Sequence, residues 1–219
     1  MGNMDDIVKI GVFGGSFDPP HEGHLAMARK AIEIFHLDRV LFVPCYQNPL
    51  KDFSGHASPF HRYVMTQLAT LVEPNFLVTP IEVNKKGKSY TIDTLKDIKK
   101  TGFELYLLMG MDAFLTIGKW KDAFKIPKLS KIAVFTRNEK VEESDVPTEI
   151  ASQSIMISGF EMPVSSTEIR KKVRDGEPIN RDVAPTVEIY IKKYDLYRHF
   201  RDQNRLIEDP IKDYFIKGI

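Results

Sequence analysis

Short apolar runs alternate with amphipathic stretches along most of the chain. Ile7-Val8-Lys9-Ile10-Gly11-Val12-Phe13 has the make-up of a buried strand, and residues 25–32 have the spacing of a helix. Val40-Leu41-Phe42-Val43 predicts a second strand, ended by Pro44, and a loop with prolines and glycine covers residues 45–59. Residues 60–72 read as a helix with His61, Met65, Leu68, Ala69 and Val72 on or near one face. Phe76-Leu77-Val78-Thr79 predicts a third strand cut by Pro80. Residues 84–88 read as a polar turn around Gly87, and residues 91–100 as a helix that stops at Gly102. Leu105-Tyr106-Leu107-Leu108-Met109, Ile132-Ala133-Val134-Phe135 and Ile155-Met156-Ile157 predict three more strands. Residues 167–174 and 186–194 read as helices, and the acidic stretch 139–149 as a surface excursion.

Strand–helix alternation of this kind predicts an α/β architecture, a doubly wound parallel sheet with helices on both faces. In such sheets a ligand sits beyond the carboxyl ends of the strands, where the strand order reverses. Three features fall at predicted strand ends: Gly14 to His24, Pro44 to Lys51, and Gly110-Met111-Asp112. They point to one cleft. The chain reads as a single domain over 1–200, with a tail at 201–219 of unknown role.

Composition narrows the classes. An apolar fraction of 42% suffices for a sizeable core. A net charge of +1, with Lys and Arg spread along the chain, gives no electrostatic case for nucleic acid or membrane binding. Cys45 is the only cysteine, so no intramolecular disulfide can form, and a reducing compartment fits. There is no Cys/His cluster with zinc spacing, no apolar leader and no run long enough to span a bilayer. The expectation is a cytoplasmic protein.

Residues 14–24 read GGSFDPPHEGH, a glycine-rich turn from a strand into a helix with two histidines at the junction. A helix N-terminus offers unpaired N–H groups and a partial positive charge, which suit phosphate. Gly14 and Gly15 lack the Cβ that would hold a ligand away from the backbone. His21 and His24, three apart, share one face of a helix. Nucleotide phosphates held at the end of a parallel strand are the chemistry this suggests.

Together these segments resemble the nucleotidyltransferases that carry an H-x-G-H signature, here His21-Glu22-Gly23-His24. Further stretches are similar to the bacterial nicotinate mononucleotide adenylyltransferase family of NAD biosynthesis. Ser89-Tyr90-Thr91-Ile92-Asp93-Thr94-Leu95 resembles its S-Y-T-x-x-T-L. Gly110-Met111-Asp112 followed by Trp120 resembles its G-x-D…W. Val164-Ser165-Ser166-Thr167-Glu168-Ile169-Arg170 resembles its I-S-S-T-x-I-R, and residues 190–198 its final helix and closing Tyr-Arg. The resemblance covers residues 9–198. There are departures: Asn48-Pro49-Leu50-Lys51 keeps the base of the family's Pro-Pro-His-Lys but not the histidine. Lys121 stands where tyrosine usually follows the tryptophan, and Arg137-Asn138-Glu139 replaces Arg-Pro-Gly.

The resemblance implies a Rossmann-like fold and attack by the phosphate of nicotinate mononucleotide on the α-phosphorus of ATP. Deamido-NAD and pyrophosphate would result, with Mg2+ accompanying ATP. It implies His21, His24 and Arg170 as catalytic residues. Gly14, Gly15, Ser16, Phe17, Gly23, Gly110, Asp112, Arg137, Ser166 and Thr167 would bind ATP. Lys51, Tyr90, Thr91 and Trp120 would bind the mononucleotide. Each also has a plainer reading. Ser165 and Glu168 have capping-box spacing, Thr91 and Asp112 suit helix N-caps, and a lone tryptophan suits a core. The expected partners are ATP and nicotinate mononucleotide, without nucleic acid or membrane, and a homo-oligomer is left open. Two alternatives stand beside this reading: another H-x-G-H transferase, such as phosphopantetheine adenylyltransferase or a cytidylyltransferase, and a nucleotide-binding module without turnover.

Overall fold

The computed structural model describes residues 7–50, 56–136, 146–160 and 164–198. The first half runs β1 (Lys9–Gly15), α1 (Glu22–Phe35), β2 (Arg39–Pro44), α2 (Pro59–Thr70), β3 (Phe76–Val78), α3 (Ile81–Lys85) and α4 (Thr91–Lys99). The second runs β4 (Glu104–Gly110), α5 (Met111–Phe114), two 3₁₀ turns (Ile117–Lys119 and Ala123–Lys128), β5 (Lys131–Phe135), α6 (Thr148–Ala151), β6 (Ser154–Ile157), α7 (Ser166–Asp175) and α8 (Pro185–Lys193).

The strands form one six-stranded sheet in the order β3-β2-β1-β4-β5-β6, and every neighbouring pair is parallel. The fold is therefore Rossmann-like, with the order reversing between β1 and β4. Strand periodicity splits the core in two. Phe13, Phe42, Tyr106, Leu108, Ala133 and Phe135 face α1, α2, α7 and α8, represented by Ala28, Met65, Ile169 and Val187. Ile10, Val12, Leu105, Leu107, Ile132 and Val134 face the other side, against Ile92 and Leu95 of α4, Phe114 of α5 and Ile150 of α6. Near-continuous apolar strands follow from burial on both faces.

The predicted strands are all present, with ends shifted by a residue or two. The helices differ more. Helix α2 starts at Pro59, with Ser58 as N-cap accepting a hydrogen bond from the His61 N–H, and it ends at Thr70. Val72 thus lies beyond the helix and is 83% exposed, not on the buried face. The turn expected at 84–88 is partly the end of α3, which five residues with a single buried side chain did not reveal. Thr91 is the first helical residue of α4 and Tyr90 its N-cap, so the threonine does not cap it. Gly110 is the N-cap of α5 and Asp112 lies within it, again not as a cap. The predicted capping box is present: Ser165 caps α7, and Glu168 reaches back to the Ser165 N–H at 3.0 Å. Most of the acidic excursion and the tail at 201–219 lie outside the described residues. Among the described residues no helix is long and apolar enough to cross a membrane.

Phe42 joins the two ends of one core layer. Its ring centroid lies 5.3–5.5 Å from those of Phe13, Phe17 and Phe76, and it has no solvent exposure. Phe42→Ala is expected to lower unfolding free energy by about 3–5 kcal/mol in urea titration, the range for deleting a buried aromatic ring. A loss below about 1 kcal/mol would contradict this packing.

Candidate active site

Strand β1 ends at the reversal point, and the chain turns there through Ser16, Phe17, Asp18, Pro19 and Pro20 into α1. Phe17 makes the turn with φ of +48°, rare for a residue with a side chain, and buries its ring against Phe13 and Phe42. Its ring explains Gly15: a Cβ there would sit 3.0 Å from it. Gly14 is different. It is exposed, and a Cβ added to it would meet nothing within 4 Å. The protein itself imposes no need for glycine at that position.

The two histidines meet at the start of α1. His21 is the N-cap, in extended backbone, and His24 lies one turn on. Their rings stack with centroids 3.7 Å apart. His24 Nδ1 accepts the His21 backbone N–H at 3.2 Å, which places the proton of the neutral ring on Nε2. His21 is only 3% exposed, and its Nδ1 has no hydrogen-bond partner. Burial lowers its pKa to about 4, against the opposing pull of Asp182 and Glu168. His21 is therefore a neutral imidazole near pH 7.

The start of α7 closes onto this turn. The Ser166 hydroxyl donates to the Pro19 carbonyl at 2.8 Å. Arg170 donates from Nη1 to the Asp18 carbonyl at 2.8 Å and from Nη2 to Thr167 Oγ1 at 3.3 Å. The two motifs, some 150 residues apart in sequence, thus meet at the turn after β1. Gly110, at the end of β4, borders α1, with Met27 Cε 3.8 Å from where its Cβ would lie. Asp112, within α5, is exposed.

A second group forms around the start of α4. Ser89 Oγ accepts the Tyr46 N–H at 2.9 Å, and its own N–H donates to the Gln47 carbonyl at 2.8 Å. Tyr90 and Thr91 follow directly. Lys121, the departure from the family pattern, lies with Nζ 4.8 Å from the Tyr90 ring centroid and 2.8 Å from Asp93 Oδ2. It ties the Trp120 segment to α4. Trp120 is half-buried, packs on the α4 side of the core and donates from Nε1 to Thr116 Oγ1 at 3.2 Å. The other departure, Leu50, is half-exposed, its N–H held by Asn48 Oδ1 in a local turn. Lys51 and Arg137 lie outside the described residues.

Sequence reasoning passed over the residues that hold the two groups together. Arg62 has no solvent exposure, yet it donates to the carbonyls of Ser16, Tyr46 and Ala57 at 2.8, 2.8 and 3.1 Å. Its signal was its place in the pattern: with Met65, Thr66 and Ala69 it falls on the inward face of α2. Asp18, 1% exposed, accepts from the Ala57 N–H and the Tyr197 hydroxyl and contacts His56 Nδ1 at 2.5 Å. Among the described residues no group of three or more His, Cys, Asp or Glu could hold a metal ion.

The Cytidylyltransferase-like family model matches residues 12–172. A probable nicotinate-nucleotide adenylyltransferase of Thermoanaerobacter sp. (strain X514) is 39% identical over 204 residues, covering 89% of this chain and 97% of the relative. One from Thermus thermophilus is 37% identical over 194 residues, covering 87% of this chain and all of its own length. The chain belongs to the nicotinate-nucleotide adenylyltransferase family. The same fold occurs in nicotinic acid mononucleotide adenylyltransferase of Plasmodium falciparum complexed with NaAD, at a TM-score of 0.70 and 22% identity, covering 87% of this chain and 97% of that one. Nucleotidyltransferases use a divalent metal together with ATP.

His21 gives this adenylyltransferase an acid-sensitive fold. The unfolded chain takes up a proton at this ring below its ordinary value of 6.5, whereas the folded chain resists until about 4. Stability is therefore complete above pH 6.5 and falls as pH drops toward 4, by about 3 kcal/mol at most from this residue. Denaturant titrations at pH 7 and pH 4.5 should show a smaller acid loss for His21→Asn than for the parent. Equal losses would contradict a buried neutral imidazole.

Proposed function

We propose that this enzyme joins ATP and nicotinate mononucleotide to give deamido-NAD and pyrophosphate. The reading rests on one observation above the others: the histidine pair at the start of α1 and the Ser166–Arg170 segment share one turn at the reversal point of the sheet. An oxygen of the mononucleotide phosphate forms a bond to the α-phosphorus of ATP. The bond from that phosphorus to the oxygen bridging to the β-phosphate breaks, and its electron pair leaves with pyrophosphate. The nucleophile is already an anion, so no base has to remove a proton. Catalysis is then positioning and stabilisation of spreading negative charge.

His24 donates from Nε2 and His21 from its single ring N–H to phosphate oxygens. Arg170, Ser166 and Thr167 meet the remaining phosphate oxygens, with the guanidinium as a fixed cation that can engage two at once. Gly14, Ser16 and Gly23 let the nucleotide lie against the backbone, while Gly15 and Phe17 shape the turn beneath it. Gly110, Asp112 and Arg137 flank the adenosine. Magnesium enters as part of the substrate, held by the ATP phosphates and water. On the mononucleotide side Lys51 takes the phosphate, Trp120 stacks on the pyridine ring and Tyr90 borders it. The start of α4 at Thr91 presents helix N–H groups to the nicotinate carboxylate, which favours the acid over the amide.

Pyrophosphate release from magnesium and ATP should be fast with nicotinate mononucleotide and much slower with nicotinamide mononucleotide. His24→Ala should lower kcat by roughly 10²–10³ with an unchanged thermal melt. Equal use of acid and amide would remove the role given to Thr91, and near-parental turnover in the variant would remove the role given to His24.

A further inference from the structure

The Tyr197-Arg198 pair after α8 takes no part in the transfer itself, yet its tyrosine reaches the turn after β1. We propose that Tyr197 is a positioning residue for the transfer: its hydroxyl fixes the Asp18 carboxylate, and Asp18 sets the guanidinium of Arg170 at the phosphate cradle. The proposal rests on the reading of Arg170 as a phosphate ligand.

Tyr197 follows α8 and is 2% exposed. Its hydroxyl donates to Asp18 Oδ1 at 2.7 Å and lies 3.9 Å from Met65 Sδ. Burial, and after it the charge and hydrogen bond of Asp18, push the phenol pKa well above its usual value, against Arg170 and Arg62. The group is a donor throughout the working pH range. Packing alone would be served by phenylalanine, and a buried hydroxyl is costly unless it is paired. What the oxygen adds is its bond to Asp18.

Asp18 passes the constraint on. Its carboxylate is held by the Tyr197 hydroxyl, the Ala57 N–H at 3.1 Å and His56 Nδ1 at 2.5 Å. Arg170 Nη1 lies 3.8 Å from Oδ2 and donates to the carbonyl of the same residue at 2.8 Å. Arg170 thus takes its position from both the main chain and the side chain of Asp18. Loss of the tyrosine oxygen leaves Oδ1 with the Ala57 N–H alone, which loosens the carboxylate and with it the guanidinium. Small misplacements of a charge-stabilising group lower the rate of the chemical step more than they weaken binding of a remote substrate.

The test is a double-mutant cycle in the full chain, with kcat, KM for ATP, KM for nicotinate mononucleotide and thermal melt measured for Tyr197→Phe, Arg170→Ala and the pair. Tyr197→Phe should lower kcat roughly tenfold and leave KM for the mononucleotide unchanged. In the Arg170→Ala background the same change should cost less than about twofold, because the group it positions is gone. An equal factor in both backgrounds, or parental kcat in Tyr197→Phe, overturns the positioning role alone. Parental turnover of ATP in Arg170→Ala overturns the phosphate role of Arg170 and the proposal with it. Should Tyr197→Phe fail to fold, Asp18→Asn serves in its place, with the same loss and the same non-additivity expected.

Discussion

A guanidinium sealed from water holds together three loop segments at the carboxyl end of the sheet. Burying a charge costs several kcal/mol unless hydrogen bonds replace its hydration. Arg62 meets that condition with three backbone carbonyls, from the turn after β1, the loop after β2 and the segment before α2. Those carbonyls have equal need of the arginine, since each is a loop acceptor away from the sheet's own hydrogen bonds. Buried Glu82 adds to the balance. Burial raises its pKa, opposed first by the Thr94 hydroxyl, which donates to it at 2.6 Å, then by Ser89 and by the charges of Lys85 and Arg62. One buried network therefore runs from the turn after β1 to the start of α4.

That network gives the turn after β1 and the start of α4 one fixed geometry. The histidine pair belongs to the turn that Arg62 grips at Ser16. The Ser89-Tyr90-Thr91 stretch is attached at Tyr46 and Gln47, and Tyr46 is gripped by the same arginine. In-line transfer between two bound nucleotides needs this kind of fixed separation, because the protein contributes position and charge and no covalent step. Charge is also used sparingly. His21 is kept neutral by burial, Lys121 is tied to Asp93 and Arg62 donates to backbone carbonyls, so Arg170 is the cation that α7 brings to the turn after β1.

Much of this was legible in the sequence. Strands such as Leu105 to Met109 were plain because they are buried on both faces, and the turn from Gly14 to His24 because glycine and histidine at a strand–helix junction suit phosphate. The capping box at Ser165 and Glu168 was readable for the same local reason. Short elements were not. Helices α3, α5 and α6 bury too few side chains to show a period. Thr91 and Asp112 look like caps by residue type, but the preceding residues, Tyr90 and Gly110, take the cap positions. Least visible were the long-range polar contacts: nothing in the sequence near Asp18 points to a tyrosine 179 residues away.

On the proposed function, the turn after β1 is shaped for a nucleotide phosphate. Gly14 tests it most directly, because the folded protein leaves room for a side chain there. The measurement is a calorimetric titration of magnesium-ATP into the parent and into Gly14→Ala, with a thermal melt of each. Equal melts and at least about tenfold weaker binding in the variant are expected, from a methyl group placed between backbone and phosphate. Equal melts with parental affinity would place the nucleotide away from this turn.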